Sequence, residues 1–350
     1  MSGRTDGAPV GVALIGAGMI ARRHVEALSA AGGRLRLEAV VSRRPERAAA
    51  LAEHYAGPPP VFTSDLSLVA DDPDVQVAIV ATPPNARIEP IEALARAGKH
   101  VLVEKPVART VEEAERVVQI CERAGVVFGV LFQHRARAAS KAAERLLASG
   151  ELGDPGLVEI AVPLWRAQSY YDELGRGTYV RDGGGVLITQ AIHTIELALA
   201  LLGPVARVQA MTATTPLHRM ESEDFAVAGL RFASGAVGSL VASTATFPHG
   251  RETIAVHCAR GSLRLDADAL EVSWRDGRSE RHAPDPGRTG GERPAVAKHE
   301  WHRAVIEDFV DAVRGGRAPM VDGRAALAPQ RLIEAIETSS RTGAAVDLER

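Results

Sequence analysis

A short apolar run from Val10 to Ile15 breaks into Gly16-Ala17-Gly18-Met19-Ile20-Ala21, and the chain continues from Ile20 to Ala31 with apolar residues at helical spacing. Strand, glycine-rich turn and helix in that order admit few folds. Two glycines followed by a small residue three positions later make the dinucleotide-binding fingerprint, here with alanine in third place. Gly16 permits the tight turn, Gly18 lets the backbone come close to a pyrophosphate, and Ala21 lets helix and strand pack together. The helix N-terminus presents free N–H groups to phosphate charge, so Met19 and Ile20 are expected beside the cofactor with the glycines. A glycine turn of purely structural use is the competing reading, and the pattern that follows argues against it.

That pattern is a βαβ alternation. It runs through Leu35 to Val41, a helix from Pro45 to Tyr55, a strand Val75 to Ala81, a helix Ala86 to Ala97, and the run Val101-Leu102-Val103 that ends at Glu104-Lys105-Pro106. Thr110 with Glu113 reads as a capping box opening a helix to Ala124, and Val126 to Phe132 supplies a further strand. Strands separated by helices predict a parallel sheet, whose ligands sit outside the carboxyl ends of the strands. Pro83-Pro84 breaks the chain at one such end, so Ala81, Thr82, Pro83 and Asn85 are expected to border the cofactor. Glu104, Lys105 and Pro106 occupy another, and Gln133 follows the last strand. Pro106 fixes φ and removes a backbone donor, which ends the strand sharply. Position alone leaves Lys105 open between a surface lysine and a residue facing a ligand, and it is the best catalytic candidate in the chain.

The choice of dinucleotide depends on the end of the second strand, where an acid would bond the ribose 2'-OH and exclude a 2'-phosphate. The chain reads Ser42-Arg43-Arg44 there, and Glu38 lies mid-strand, too early to reach the ribose. A hydroxyl with one or two guanidinium groups suits a phosphate dianion, so NADP is favoured with NAD possible. The bland alternative is that both arginines belong to a solvated helix start.

A chain of 350 residues suffices for about two domains, and the readings divide it into 1–133, a dinucleotide-binding Rossmann domain, and 134–350, a substrate-binding and oligomerisation domain. Net charge is −3 with dispersed basic residues, which argues against nucleic acid or an anionic membrane and for a small-molecule partner. Cys121 and Cys258 are the only cysteines, far apart and without metal-ligand spacing, so neither a disulfide nor a metal site is expected. No segment approaches the ~20 apolar residues that span a bilayer, and Met1 to Pro9 is polar; a soluble cytoplasmic protein is expected.

After Arg137 the pattern changes. A helix from Ala138 to Ala148, a strand Leu157 to Leu164 and a long apolar helix from Val186 to Leu202 precede strand-like runs at Val205–Ala213, Phe225–Phe232, Ala236–Ser243, Thr253–Cys258, Ser262–Leu265 and Leu270–Trp274. Ser234-Gly235, Arg260-Gly261 and Asp276-Gly277 are hairpin signals. The fold class is therefore α/β throughout: a Rossmann parallel sheet, then an α/β domain with an open, mostly antiparallel sheet and helices on one face. Gly277 to Lys298 reads as a loop, either a flap or a plain insertion. Two helices, about His299 to Arg314 and Ala325 to Thr342, close the chain.

The chemistry of this half gathers at Asp182-Gly183-Gly184-Gly185, Thr189 and His193. Thr189 and His193 are four apart and share a helix face, with Ile188, Ile192, Ile195 and Leu199 on the buried side. A histidine so placed is either a hydrogen-bonded core residue or a catalyst. Trp165, Arg166, Tyr170, Tyr171, Arg176, Tyr179 and Arg181 crowd the stretch before the glycines. Aromatic faces with guanidinium groups suit a polyhydroxylated or carboxylated ligand, and a rim packed for stability is the alternative. Trp165, Arg166, Tyr171, Arg181 and His193 are the substrate candidates; Arg135 is expected near the same site or as a brace between the domains.

In order along the chain, Gly16-x-Gly18-x-x-Ala21, Thr82-Pro83-Pro84-Asn85, Glu104-Lys105-Pro106, Gly150-x-x-Gly153 and Gly183-Gly184-Gly185-x-Leu187-x-x-Gln190-x-x-His193 resemble the pattern of the glucose-fructose oxidoreductase, inositol dehydrogenase and MocA family. The resemblance covers nearly the whole chain, through Thr342-Gly343-Ala344-Ala345-Val346-Asp347-Leu348. It implies hydride transfer between a nicotinamide ring and a hydroxyl-bearing carbon, usually of a sugar or cyclitol, in a homodimer or homotetramer assembled through the second domain. An aromatic dihydrodiol dehydrogenase and a cofactor-binding sensor without turnover are the alternatives. Lys105 then matches the family lysine beside the transferred hydride, suited by a lowered pKa to accept the hydroxyl proton, and Pro106 the proline often preceded by a cis bond. His193 would bond the same hydroxyl or relay its proton. Two positions depart from the family. Thr189 stands where many relatives carry aspartate, which shifts the catalytic burden to Lys105, and Arg87 replaces a histidine common after the Pro-Asn turn.

Overall fold

Six parallel strands form the first sheet, in the order β3-β2-β1-β4-β5-β6. In chain order the elements are β1 (Val10–Ile15), α1 (Ala21–Ala30), β2 (Leu35–Val41), α2 (Pro45–Ala48), β3 (Val61–Thr63), α3 (Ser67–Ala70), β4 (Val75–Val80), α4 (Ile88–Arg96), β5 (His100–Glu104), α5 (Val111–Ala124) and β6 (Phe128–Leu131). The central strands are almost continuously apolar and buried, as a parallel sheet covered on both faces requires. The strand order reverses beside β1, so the switch point at which such sheets bind ligands lies at the carboxyl ends of β1 and β4. One helix expected from Pro45 to Tyr55 is instead α2 followed by 3-10 turns over Ala49–His54.

The second sheet has nine strands. Its elements are α6 (Ala138–Ser149), β7 (Pro155–Pro163), α7 (Gln168–Tyr171), a π-helical turn over Leu187–Ala191 that runs into α8 (Ile192–Leu202), β8 (Val205–Ala213), β9 (Phe225–Phe232), β10 (Val237–Ser243), β11 (Thr253–Cys258), β12 (Gly261–Asp266), β13 (Ala269–Trp274) and β14 (Ser279–His282). After them come α9 (Glu300–Gly315), α10 (Leu327–Thr342) and β15 (Val346–Asp347). The order is β14-β13-β12-β11-β7-β10-β9-β8-β15, antiparallel throughout except for the parallel contact of β7 with β10. Buried and exposed positions alternate along β9 and β10, because α6, α8 and α10 cover one face. Leu157, Met211, Val237 and Val241 are exposed on the other. β14 occupies part of the stretch expected as a loop, and the rest of that stretch, 283–298, lies outside the described residues.

This computed structural model describes residues 8–282 and 299–348. The chain divides into two units, the first comprising residues up to Ala108, Glu112–Gln133 and Ala295–Ala325, the second Arg109–Val111, His134–Pro294 and the remainder. Late in sequence, α9 thus belongs to the first unit, where it packs on α1, β5 and β6. Gly129 in β6 makes room for it: a Cβ there would stand 2.7 Å from the ring of Phe309, an overlap that costs about 1–3 kcal/mol to relieve. Among the described residues no helix is long and apolar enough to cross a membrane.

Candidate active site

The turn after β1 is fixed by the sheet itself. Gly16 has φ +107° and its N–H bonds to the Val41 carbonyl at 2.8 Å; a Cβ on it would meet the Ala81 and Thr82 backbone at 2.9 Å. Gly18 differs, because among the described residues no atom beyond its own chain neighbours lies within 4 Å of where its Cβ would stand, so no packing contact there demands glycine. α1 begins after Ile20 with no side-chain cap and no acid in its first turn, and Met19 beside it is exposed. Uncapped N–H groups behind a backbone that a ligand can approach suit a dinucleotide pyrophosphate. At the end of the adjoining β2, Ser42 Oγ accepts the Arg44 N–H at 3.2 Å, and Arg43 and Arg44 extend outward with no carboxylate partner among the described residues. Glu38 is paired with Arg36 in mid-strand, away from that end. These groups border the adenosine end of a dinucleotide bound at this turn.

The turn that carries Lys105 is held from beneath. The Lys105–Pro106 peptide is cis, Lys105 is half-buried, and Pro106 is buried. Arg87, 3 % exposed, donates from Nε to the Thr82 carbonyl at 2.8 Å and from Nη1 to the carbonyls of Glu104 and Pro106. One guanidinium therefore ties the turn after β4 to both sides of Lys105. On the other flank, His24 Nε2 meets Glu104 Oε1 at 2.9 Å, and His302 Nε2 lies 4.0 Å from the same oxygen. Burial pushes the Glu104 carboxyl up, but the His24 hydrogen bond and the nearby charges of His24, His302 and Lys105 outweigh it and hold the group at about 2. Thr82 Oγ1 donates to the Ala86 carbonyl at 3.0 Å, while Pro83 and Asn85 are exposed. Gln133 follows β6, and its Oε1 is buried with no protein hydrogen bond.

In the second unit the triple glycine is a packing device. A Cβ on Gly185 would overlap the Glu223 carbonyl oxygen at 1.8 Å, and one on Gly184 (φ +149°) would crowd Ile188 and Glu337. Glu223, 5 % exposed, accepts the N–H groups of Gly185 and Leu187 at 3.0 Å each and so caps the helix from 36 to 38 residues away in sequence. The first turn is π-helical, and Thr189 Oγ1 donates to the Gly185 carbonyl at 2.6 Å. His193 is buried and stacks on His134, with ring centroids 4.7 Å apart. His134 Nε2 is 3.6 Å from Glu252. Glu223 and His134 were not among the candidates, since only a long-range contact reveals them. Arg135 pairs with Glu196 at 2.9 Å and approaches Glu144 at 3.8 Å, so it braces α6 and α8 inside the second unit.

Among the substrate candidates, Trp165, Arg166 and Tyr171 come together and Arg181 does not join them. Arg166 donates to Gln190 Oε1 at 2.8 Å and to the Trp165 carbonyl at 3.1 Å, lies over the Tyr170 ring, and has no carboxylate partner among the described residues. Beneath it His218 bridges the Arg166 carbonyl at 2.8 Å and Asp224 at 2.7 Å, with Trp165 and Tyr171 tilted against its ring. Tyr171 bonds Thr244 at 2.6 Å, and burial pushes its hydroxyl up to about 12. Arg181 is held by Glu173 at 2.9 Å and by the Leu174 carbonyl, which neutralises it locally. A cavity of about 340 Å³ opens beside Arg166 and Gln190, with His134, Arg137, His249, Arg251 and Glu252 on its walls. Among the described residues no cluster of three or more His, Cys, Asp or Glu side chains could hold a metal ion. Both cysteines are buried, and burial pushes the Cys121 thiol up to about 12.

Comparison with known proteins identifies the family of the chain. A family model described as an oxidoreductase family with an NAD-binding Rossmann fold matches residues 10–132, and the model of the Gfo/Idh/MocA C-terminal domain matches residues 140–264. The 1,5-anhydro-D-fructose reductase of Ensifer adhaerens is 30% identical over 346 residues, spanning 96% of this chain and 98% of that protein. The WlbA dehydrogenase of Bordetella pertussis, solved with NADH and UDP-GlcNAcA, superposes with a TM-score of 0.81 at 30% identity, over 98% of this chain and 99% of that one. Levoglucosan dehydrogenase, solved with NADH and levoglucosan, superposes with a TM-score of 0.87 at 25% identity, over 98% and 100%.

Proposed function

This chain belongs to the Gfo/Idh/MocA family of oxidoreductases, and on that premise we propose that it moves a hydride between a nicotinamide dinucleotide, NADP by preference, and a hydroxyl-bearing carbon of a sugar, cyclitol or related cyclic compound. The observation that carries this reading is Lys105: a half-buried lysine on a cis peptide at the carboxyl end of β5, in a sheet whose first turn is open at Gly18. Gly16, Gly18, Met19 and Ile20 would hold the pyrophosphate, and Ala81, Thr82, Pro83, Asn85, Glu104, Pro106 and Gln133 would border the nicotinamide side. Ser42, Arg43 and Arg44 favour NADP, because two exposed guanidinium groups at the end of β2, with no carboxylate partner among the described residues, suit a 2'-phosphate.

The bound dinucleotide supplies a ring that takes up or returns a hydride. When the substrate is oxidised, its carbon gives up hydrogen with both electrons and its hydroxyl gives up a proton, leaving a carbonyl. Lys105 Nζ, in its neutral form, accepts that proton, and in reduction the ammonium returns it. His193, kept in orientation by the ring of His134, would serve as a hydrogen-bonding or proton-relaying group toward the substrate. Thr189 offers only lone pairs on this side, since its proton is engaged by Gly185; it cannot stand in for a carboxylate. Trp165, Arg166 and Tyr171 form the substrate wall. The names of the relatives, which refer to 1,5-anhydro-D-fructose and levoglucosan, support a sugar-like substrate.

The exposed apolar side chains on the free face of the second sheet support assembly as a homodimer or homotetramer, which light scattering would establish. The reading as a whole is tested by fluorescence titration with NADPH and NADH, followed by a hydride-transfer screen over sugars, cyclitols and dihydrodiols. Tighter binding of NADPH and turnover of a sugar or cyclitol are expected. Binding of neither dinucleotide would end it.

A further inference from the structure

Arg87 is a buried cation whose three donor contacts all end on backbone carbonyls, those of Thr82, Glu104 and Pro106. A guanidinium presents a rigid fork of N–H donors, so contacts to residues 104 and 106 fix the peptide planes on either side of residue 105. Carbonyl oxygens carry no formal charge and leave the guanidinium with its full positive charge. We propose that Arg87 is a positioning residue that locks the Lys105 turn and, by the charge it keeps there, makes Lys105 a readier proton acceptor.

Glu104 favours the ammonium form of Lys105, Arg87 opposes it, and His24 and His302 both face the Glu104 carboxylate from α1 and α9. Burial lowers Arg87 to about 10 against the opposing pull of Glu104, so it remains charged at neutral pH. Glu104 is ionised as well, and loss of Arg87 would take one cation from the turn and strengthen the hold of that carboxylate on Lys105. A like charge near a lysine disfavours its ammonium form, while an opposite charge sustains it. A histidine at position 87, neutral above its ordinary pKa, would supply the turn with fewer donors and no fixed charge.

This inference rests on the reading of Lys105 as the proton acceptor, but its test does not need turnover. The chain has four lysines, Lys99, Lys105, Lys141 and Lys298, so ¹³C-lysine labelling gives a sparse NMR spectrum in which the Lys105 signal is the one lost in Lys105→Met. The Lys105 titration midpoint is expected to rise by roughly one pH unit in Arg87→Met. In Arg87→Lys, which keeps the charge, it should stay near that of the unchanged protein. A midpoint that is unmoved or lowered in folded Arg87→Met, or one that rises equally in Arg87→Lys, would overturn the proposal. If Arg87→Met does not fold, Arg87→His above pH ~7.5 carries the same expectation and the same refutation. Full turnover in Lys105→Met would sink the catalytic reading and still leave the electrostatic coupling to be decided by the titration.

Discussion

The imidazole of His193 lies against that of His134, centroids 4.7 Å apart and planes 27° from parallel, so each ring limits the rotation of the other. A reacting group misplaced by about 1 Å can lose as much as 100-fold in rate. His134→Phe, which keeps a flat ring, is expected to retain most of the turnover, and His134→Ala to lower kcat about tenfold with KM little changed. Steady-state kinetics on both variants decide it; equal losses would mean that the stack does not orient His193.

Lys105→Met removes the proposed proton acceptor and retains the length of the side chain. NADPH affinity should stay within a few-fold, while turnover falls by about two orders of magnitude or more, the scale at which general bases act. Fluorescence titration beside initial-rate measurement separates the two effects.

Arg43 stands exposed at the end of β2 with no acidic partner among the described residues. If it reads a 2'-phosphate, Arg43→Ala weakens NADPH much more than NADH, by about tenfold for the loss of one charge-assisted contact of ~1.4 kcal/mol. Equal weakening of both dinucleotides in a binding titration would reject that role.

Gly16 and Gly18 separate fold from function. Gly16→Ala places a Cβ 2.9 Å from the β4 turn at φ +107° and should destabilise the protein by about 1–3 kcal/mol. Gly18→Ala meets no protein atom, so its stability should change by no more than ~0.5 kcal/mol while dinucleotide affinity drops. Thermal melts with and without NADPH measure both terms. Unchanged affinity in Gly18→Ala would remove the pyrophosphate from that turn.

Burial, then the carboxylates of Glu223 and Glu334, push Glu337 up to about 8 from 4.5, against the pull of Arg341. The native state therefore holds this proton to higher pH than the unfolded chain does, and its stability falls as pH rises from 4.5 through about 8. Glu337→Gln cannot ionise. Its melting temperature should exceed that of the unchanged protein near pH ~9, by on the order of 1–2 kcal/mol in stability, and match it near pH ~4. Equal melting temperatures at both pH values would place Glu337 in solvent.

Local chemistry made much of this fold legible. The turn at Gly16, the apolar strands β1, β2, β4, β5 and β6, and the hairpins at Gly235 and Gly277 follow from side-chain size, periodicity and positive φ, all of which act within a few residues. The short strands β3, β14 and β15 left no such trace: they have no buried alternation and form because a longer neighbour offers its edge. Thr189 and His193 share a helix as the spacing implied, but the π-helical turn between Leu187 and Ala191 depends on Glu223, which no local pattern announces. Arg87 was visible as a departure from the family, yet its work on the Lys105 turn became readable only when residues 82, 87, 104 and 106 were brought together. Arg181 and Arg166 looked equivalent in the sequence. The presence of Glu173 beside one of them, and of only neutral partners beside the other, sets them apart.

The return of α9 to the first unit has a consequence for synthesis. Phe309 fills the space left by Gly129, so the apolar groove formed by α1, β5 and β6 has no cover until the ribosome has delivered residue 315, after strands β7 to β14 of the second sheet have been made. Domains usually mature one after another from the N-terminus, but here the first-made sheet must wait for α9, a helix made late. A fragment ending at residue 133 would carry the nucleotide turn and lack the helix that roofs it.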